Sequence, residues 1–423
     1  MNIGIDIRCL MDEKRTGVGE YTFGLLDAVF KYTDSLTAQA GTDFKKDYTD
    51  NKDQFFLFYN SNKNIQDNLP KWDYENVHYI GLNWPNKLLN LLLWLKLIRL
   101  DKLLLSHLER NDERKRGMKS KDLMVRQEKQ WDPSTPLRFA QDDVIDVWFS
   151  PNLNFTNLSK HVKHIQTIHD LSFEFFPECF TWKRRLWHWF LNPKKQCKRA
   201  DIILTPSENT KRDVVERFKI EDLRLKILRP GLSIDRGYKT EDIRQRYGLP
   251  EKYILFLGTL EPRKNVESII KAYKMNYELG IRNYDLVIVG SSGWKNIELL
   301  KTIKETPGVK YIGYVDDEDK MELYKNASLF VFPSLYEGFG LPVLEAMACG
   351  VPVITSNRSS LTEVGQDAVY YVNPNNVSEL ASAIDLILKN SELKTRMTTG
   401  GLEVAKDFDW QKSAQEFLSV IKS

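Results

Sequence analysis

Residues 332–356 read FPSLYEGFGLPVLEAMACGVPVITS. A strand ends at Phe332, a loop carries Glu337-Gly338-Phe339-Gly340, Pro342 stands where a helix begins, and a second strand is expected at Pro352–Thr355. Proline suits a first helical turn because its ring presets φ and its missing N–H would be unpaired there anyway. Gly338 and Gly340 are expected to allow positive φ and close approach of a ligand. The result is a strand–helix–strand unit whose helix N-terminus presents free amides and partial positive charge, a setting for phosphate. Glu337 lies before the helix and Glu345 one turn inside it, eight residues apart. They can therefore address different parts of one elongated ligand, each accepting the hydroxyl hydrogen bonds a sugar offers.

The same alternation extends outward. In the first half, strands are expected at Ile3–Ile7, Phe55–Tyr59, Val77–Leu82, Val147–Ser150, His164–Ile168, Ile202–Thr205 and Lys226–Leu228. In the second they are expected at Tyr253–Gly258, Asp285–Val289, Lys310–Ile312, Leu329–Phe332, Pro352–Thr355 and Val369–Val372. Continuous apolar runs separated by amphipathic stretches indicate parallel strands covered on both faces, hence doubly wound α/β. A chain of 423 residues exceeds what one core organises. The second series restarts at Tyr253 after Pro-Gly-Leu-Ser at 230–233, so we place a first domain over 1–235, a second over 236–406, and a C-terminal helix over 407–423 with Trp410, Phe417, Val420 and Ile421 on or near one face. Residues 106–143, with 17 charges in 38 residues, read as an inserted arm without its own core.

Composition narrows the function. Sixty-one basic against 58 acidic side chains leave a net charge of +3, unlike the basic excess of a nucleic-acid binder. Cys9, Cys179, Cys197 and Cys349 have neither disulfide-framework nor zinc spacing, and read as reduced cytosolic thiols. The N-terminus MNIGIDIRCL reads as a buried strand and not a signal peptide. No apolar run of about 20 residues suggests a membrane span. Two stretches fit a membrane surface as well as they fit internal packing. One is the apolar 84–100; the other is the basic and Trp-rich 180–200, which holds seven Lys/Arg, no acid, and Trp182, Trp187, Trp189 and Phe190.

A second loop, Gly258-Thr259-Leu260-Glu261-Pro262-Arg263-Lys264-Asn265, also opens a helix at a strand end. Cations are disfavoured at a helix start, so Arg263 and Lys264 read either as solvated surface or as partners of an anionic ligand. Asp316-Asp317-Glu318-Asp319 contains a D-x-D triplet, but its place before a helix reads as capping and not as a metal site. No metal is expected.

With these residues quoted, the chain resembles the family-four retaining glycosyltransferases of GT-B fold, mannosyltransferases in particular. Glu337–Glu345 is similar to their paired-glutamate motif and GTLEPRKN to their phosphate loop. The resemblance implies two facing Rossmann-like domains with parallel sheets and a C-terminal helix crossing back to the first domain. It implies that Glu345 holds the donor ribose, Glu337 the transferred sugar, and Arg263 and Lys264 the diphosphate, helped by Gly338, Phe339 and the amides of Gly340 and Leu341. Gly258 belongs to the phosphate loop, and Val315 lies near the nucleobase. In the first half, Gly17-Val18-Gly19 resembles the family's glycine loop, His169-Asp170-Leu171 the segment whose histidine lies beside the sugar, and Ser207-Glu208 a turn with Ser207 as helix N-cap. Taken singly, the glycine loop is a common α/β turn and His169 a common core residue.

The implied activity is front-face transfer of a hexose, mannose from GDP-mannose first, to a glycan or lipid-linked acceptor in surface polysaccharide assembly. It would need no cofactor and no nucleic acid, and would run in the cytoplasm at the inner membrane face. The alternatives are a sugar-nucleotide epimerase or phosphorylase of similar fold, or an idle membrane-docking subunit. No G-x-G-x-x-G follows either first strand, which disfavours a nicotinamide dehydrogenase.

Overall fold

The computed structural model describes residues 1–40, 53–63, 65, 67–106, 144–232 and 243–423, with only the backbone of 37–40. The expected inserted arm, from residue 107 on, and the expected boundary at 235 fall outside these residues.

Among the described residues thirteen strands form two sheets. The first contains β1 (Asn2–Asp6), β2 (Gln54–Asn60), β3 (Val77–Leu82), β4 (Val147–Ser150), β5 (Lys163–Thr167), β6 (Ile202–Thr205) and β7 (Leu225–Ile227), in the order β3-β2-β1-β4-β5-β6-β7. The second contains β8 (Tyr253–Leu257), β9 (Asp285–Val289), β10 (Val309–Gly313), β11 (Leu329–Phe332), β12 (Val353–Ser356) and β13 (Tyr370–Val372), in the order β10-β9-β8-β11-β12-β13. Each expected strand is present within about a residue, and the pairs β1–β2, β1–β4, β8–β9, β8–β11 and β11–β12 are all parallel. Proline lacks the N–H a ladder needs; accordingly β12 begins at Val353, and Pro352 contributes only its carbonyl, to Phe330 N at 2.9 Å.

The chain separates into two compact units, Met1–Thr167 with Lys195–Ile203 and Leu418–Ser423, and Ile168–Lys194 with Leu204–Phe417. Residues 168–194 and 204–232, which sequence alone places in the first domain, thus group with the second unit. Their reason is long-range hydrogen bonding, described below.

In the first unit the helix Gly17–Ala40 buries Tyr21, Leu25, Leu26, Val29 and Phe30, one helical face. Phe56, Phe58, Ile80, Leu82 and Trp148 pack with Leu89, Leu93, Leu100 and Leu104. The stretch 84–100 is not one all-apolar helix. Its helix ends at Trp94, Lys96 turns the chain at φ 59°, and Leu88, Leu91, Trp94, Leu95 and Leu97 remain exposed while Leu89 and Leu93 are buried. In the second unit Phe256 and Phe332 stack at 5.9 Å in a core shared by β8–β12 and the flanking helices. The C-terminal helix spans Trp410–Lys422, and Lys163 Nζ donates to the carbonyls of Val420 and Ile421 at 3.1 and 3.2 Å, a cation at the helix's negative end. Among the described residues no helix is long and apolar enough to cross a membrane. All four cysteines are free thiols.

Candidate active site

The strand order of the second sheet reverses between β8 and β11: chain progress runs outward through β9 and β10 on one side and through β12 and β13 on the other. Loops leaving adjacent strands in opposite directions open a crevice there, which is where open α/β sheets bind ligands. The two loops singled out by sequence, 258–265 and 333–340, leave these two strands.

Hydrogen bonds to backbone carbonyls knit them together. Leu335 N donates to Arg263 O at 2.9 Å, and Asn265 Nδ2 to Pro333 O at 3.2 Å. The loop after β12 closes the third side. Glu337 N donates to Ser359 Oγ at 2.9 Å, and Ser360 Oγ donates to the carbonyls of Glu337 and Phe339 at 2.9 and 2.8 Å.

Inside this frame Glu337, Arg263 and Lys264 form one cluster. Glu337 Oε2 lies 2.8 Å from Arg263 Nη1, and Oε1 lies 2.7 Å from Lys264 Nζ and accepts from Ser334 Oγ at 2.6 Å. Arg263 also pairs with buried Glu261 at 2.6 Å and donates to the Tyr336 carbonyl. Lys264 lies 4.9 Å over the Phe332 ring. Burial pushes the Glu337 carboxyl up, yet Arg263 and Lys264 outweigh it and hold the group down at about 2. Burial likewise opposes the Arg263 charge, but Glu337, Glu261 and Asp170 hold the guanidinium protonated beyond its ordinary value. Arg263 and Lys264 are therefore not solvated surface; the carboxylates of Glu261 and Glu337 match their charges.

The helix Leu341–Ala348 starts where expected, with Gly340 at its N-cap in the left-handed region (φ 112°) and Pro342 in the first turn. Gly338 differs from expectation. It needs no positive φ; a Cβ there would stand 1.8 Å from the His169 carbonyl oxygen and 2.9 Å from Asp170 Cβ. Glycine is required by the close approach of the 169–170 backbone. Ser207 Oγ and Thr210 Oγ1 donate to the Gly338 carbonyl at 2.7 and 3.1 Å, while Ser207 also caps its helix as expected. Glu363 accepts from Glu208 N and Asn209 N at 2.9 and 2.7 Å. These bonds tie 204–232 to the second unit, and 168–194 is tied there by Leu171 N, which donates to Tyr336 Oη at 3.4 Å, and Cys179 O, which accepts from Trp294 Nε1 at 2.6 Å.

The remaining candidates distribute as follows. His169 is half-buried beside Gly338. Asp170 Oδ1 accepts from Ser172 N and Oγ at 2.9 and 2.6 Å, so the side chain turns the local chain as well as facing Arg263 electrostatically. Gly258 follows β8, its N–H bonded to Val289 O, and its carbonyl oxygen would lie 2.0 Å from a Cβ on Gly290. Phe339 is buried against Phe408, and Val315 is a buried member of the core. Glu345 stands apart from the Glu337 cluster, paired instead with Lys320 at 2.8 Å and Tyr324 at 3.0 Å. Gly17 and Gly19 lie in the other unit, inside the first turn of its helix instead of in a loop before it.

The acidic run at 316–319 also needs correction. Asp317, Glu318 and Asp319 occupy the first turn of the helix Asp317–Lys325, favourable for its dipole, but Asp316 makes no side-chain cap. Asp319 is instead buried, accepting from Tyr247 Oη at 2.7 Å and paired with Arg246 at 2.8 Å. Among the described residues no group of His, Cys, Asp or Glu is arranged for a metal ion. Glu261, Ser334, Thr210, Lys320 and Tyr324 carry no sequence signal of their own. Glu261 and Ser334 lie inside the two quoted loops; Thr210, Lys320 and Tyr324 lie outside them.

Comparison with known proteins gives the family and the fold. The sequence model described as "Glycosyl transferases group 1" matches residues 239–404, and "Glycosyltransferase Family 4" matches 126–236. The chain is 33% identical over 266 residues to O-antigen chain mannosyltransferase B of Escherichia coli, covering 61% of this chain and 70% of that one. It is 30% identical to the serotype-specific mannosyltransferase WbdA of E. coli over 53% of this chain, but spans only 29% of that longer protein. The structure of a sucrose-phosphate synthase from Thermosynechococcus elongatus superposes with a TM-score of 0.64 at 19% identity, covering 100% of this chain and 98% of that one.

Proposed function

This chain belongs to the family-four glycosyltransferases, with the paired Rossmann-like sheets of the GT-B fold, and on that premise we propose that it is a retaining, metal-independent mannosyltransferase using GDP-mannose. The observation that carries the reading is the Glu337–Arg263–Lys264 cluster at the crevice between β8 and β11, one loop away from the open amides of the helix Leu341–Ala348. As the bond between the anomeric carbon and the phosphate oxygen breaks, negative charge grows on the diphosphate. Arg263 offers a planar fork and Lys264 a point charge to receive it, the work a divalent ion does elsewhere. The acceptor hydroxyl oxygen bonds to the anomeric carbon on the same face, and its proton passes to the departing phosphate. Glu337 orients the sugar hydroxyls and His169 lies beside the sugar; Glu345 holds the ribose. Gly258, Gly338, Phe339, Gly340 and Leu341 shape the phosphate cradle. The relatives named for O-antigen chains support a growing glycan or lipid-linked acceptor.

A thermal-shift screen across GDP-, UDP-, dTDP- and ADP-sugars tests this, since a ligand of the folded state raises Tm. GDP-mannose is expected to give the largest rise, with transfer surviving EDTA and the product anomer retained by NMR. No shift with any nucleotide sugar would instead mark an idle subunit.

The helix Trp182–Leu191 supplies the membrane side of the reading. Trp182, Leu186, Trp189 and Phe190 fall on one face at helical spacing, all exposed, Trp182 at 68% and Trp189 at 71%. Lys183 and Arg185 flank that face. The opposite face is engaged: Leu191 is buried, and Arg184 lies 3.9 Å over Trp294, which donates to Cys179 O at 2.6 Å. Indoles bordered by cations match an anionic bilayer surface. Vesicles containing phosphatidylglycerol are expected to sediment the protein, and zwitterionic vesicles to do so poorly. The double variant Trp182→Ser/Trp189→Ser should lose most binding; unchanged sedimentation would refute this anchor.

A further inference from the structure

Glu337 and Glu345 are held in different ways. Every oxygen of Glu337 is engaged by a cation, and Ser334 adds a third donor. Glu345 receives one donor per oxygen, Lys320 Nζ on Oε1 at 2.8 Å and Tyr324 Oη on Oε2 at 3.0 Å. A carboxylate has about four lone-pair sites, so each Glu345 oxygen keeps one. Its side chain is still 15% exposed.

Both donors come from one helix, Asp317–Lys325, four residues apart and therefore on one face. That helix is itself immobilised. Buried Asp319 ties its first turn to Tyr247 and Arg246, and the fully buried Tyr324 ring meets Phe330 edge-on at 5.2 Å. A lysine inside an acidic run would ordinarily be solvated, but Lys320 is only 16% exposed and faces Glu345, with Asp317 at 3.9 Å.

We infer that Lys320 and Tyr324 are positioning residues for the donor ribose: they clamp the Glu345 carboxylate so that its two remaining lone pairs meet the vicinal 2′ and 3′ hydroxyls together. This rests on the assignment of Glu345 to the ribose above. A carboxylate fixed before the ligand arrives loses no rotamer freedom on binding, so the clamp converts directly into discrimination for ribonucleotides. It also gives the acidic run a purpose, since Asp319 anchors the helix from which the clamp projects.

Calorimetry with GDP and UDP, each beside its 2′,3′-dideoxy counterpart, tests the idea on the full chain. Hydrogen bonds to a charged acceptor predict that the wild type prefers the ribonucleotide by about tenfold or more. In Lys320→Met/Tyr324→Phe that preference is expected to fall to within about threefold of unity, with dideoxy affinity unchanged because the diphosphate contacts are intact. Lys320→Arg, which keeps a donor, should restore much of the preference. A double variant that keeps the wild-type ratio overturns the inference while leaving the ribose assignment standing. Equal wild-type affinity for ribo and dideoxy forms removes the ribose assignment and the clamp with it. A wild type that binds neither form removes the nucleotide-sugar reading as well.

Discussion

Replacing Glu337 by glutamine is expected to lower transfer by about 10²-fold or more, the usual loss when a preorganised electrostatic partner is removed from a reacting site. The same change disturbs the folded state. The carboxylate sits among Arg263 and Lys264, which keep only 11% and 12% of their side-chain surface open. Breaking a buried pair leaves uncompensated charge, at a cost of about 3–5 kcal/mol. Arg263 retains Glu261, whereas Glu337 is the only carboxylate recorded beside Lys264 among the described residues. The expected outcome is a lower denaturation midpoint together with a larger rise in Tm on adding inorganic pyrophosphate than the wild type shows, because the anion then replaces the missing charge. Near-normal turnover would remove Glu337 from the mechanism. A pyrophosphate response no larger than that of the wild type would remove Arg263 and Lys264 from the diphosphate site.

The second large effect is expected from Gly338→Ala. The added Cβ meets the carbonyl oxygen of His169 at 1.8 Å and its carbon at 2.8 Å, backbone atoms that cannot swing aside. The loop must lift, releasing the Gly338 carbonyl from Ser207 and Thr210 and shifting Glu337 next door. Overpacking of this kind costs about 1–3 kcal/mol, and a displacement near 1 Å at a reacting centre costs about 10²-fold in rate. Stability by denaturant titration and initial rates with saturating donor would both be read. An alanine variant with wild-type kinetics would show that the 169–170 backbone yields, and that its packing on Gly338 is incidental.

The strands were legible because each is a continuous apolar run bounded by polar or Gly/Pro residues, so period and length alone located them. Glu337–Pro342 was legible for a similar reason: glycine, proline and acid at a strand end admit few other uses. What escaped was set by partners distant in the chain. Nothing local to Lys320 says that it reaches Glu345, 25 positions on, more closely than its neighbour Asp317. Nothing in Gly338 distinguishes a glycine needed for φ from one needed for His169 to approach. The grouping of 168–194 and 204–232 depends on Leu171, Cys179, Ser207, Thr210 and Glu363, whose bonds span more than 100 residues. The run 84–100 misled because composition was even while burial was not; Lys96 breaks it by a backbone turn that lysine does not advertise.

The hold of Ser207 and Thr210 on a main-chain carbonyl has a practical bearing on engineering. Anyone grafting a foreign second half onto this chain would cut near residue 235, where sequence suggests a seam. Such a chimera would separate the hydroxyls from the carbonyl they grip, and Glu363 from the amides of Glu208 and Asn209. Transplants that carry 168–194 and 204–232 along with their recipient loop preserve these fastenings, so the exchangeable cassette is discontinuous in sequence.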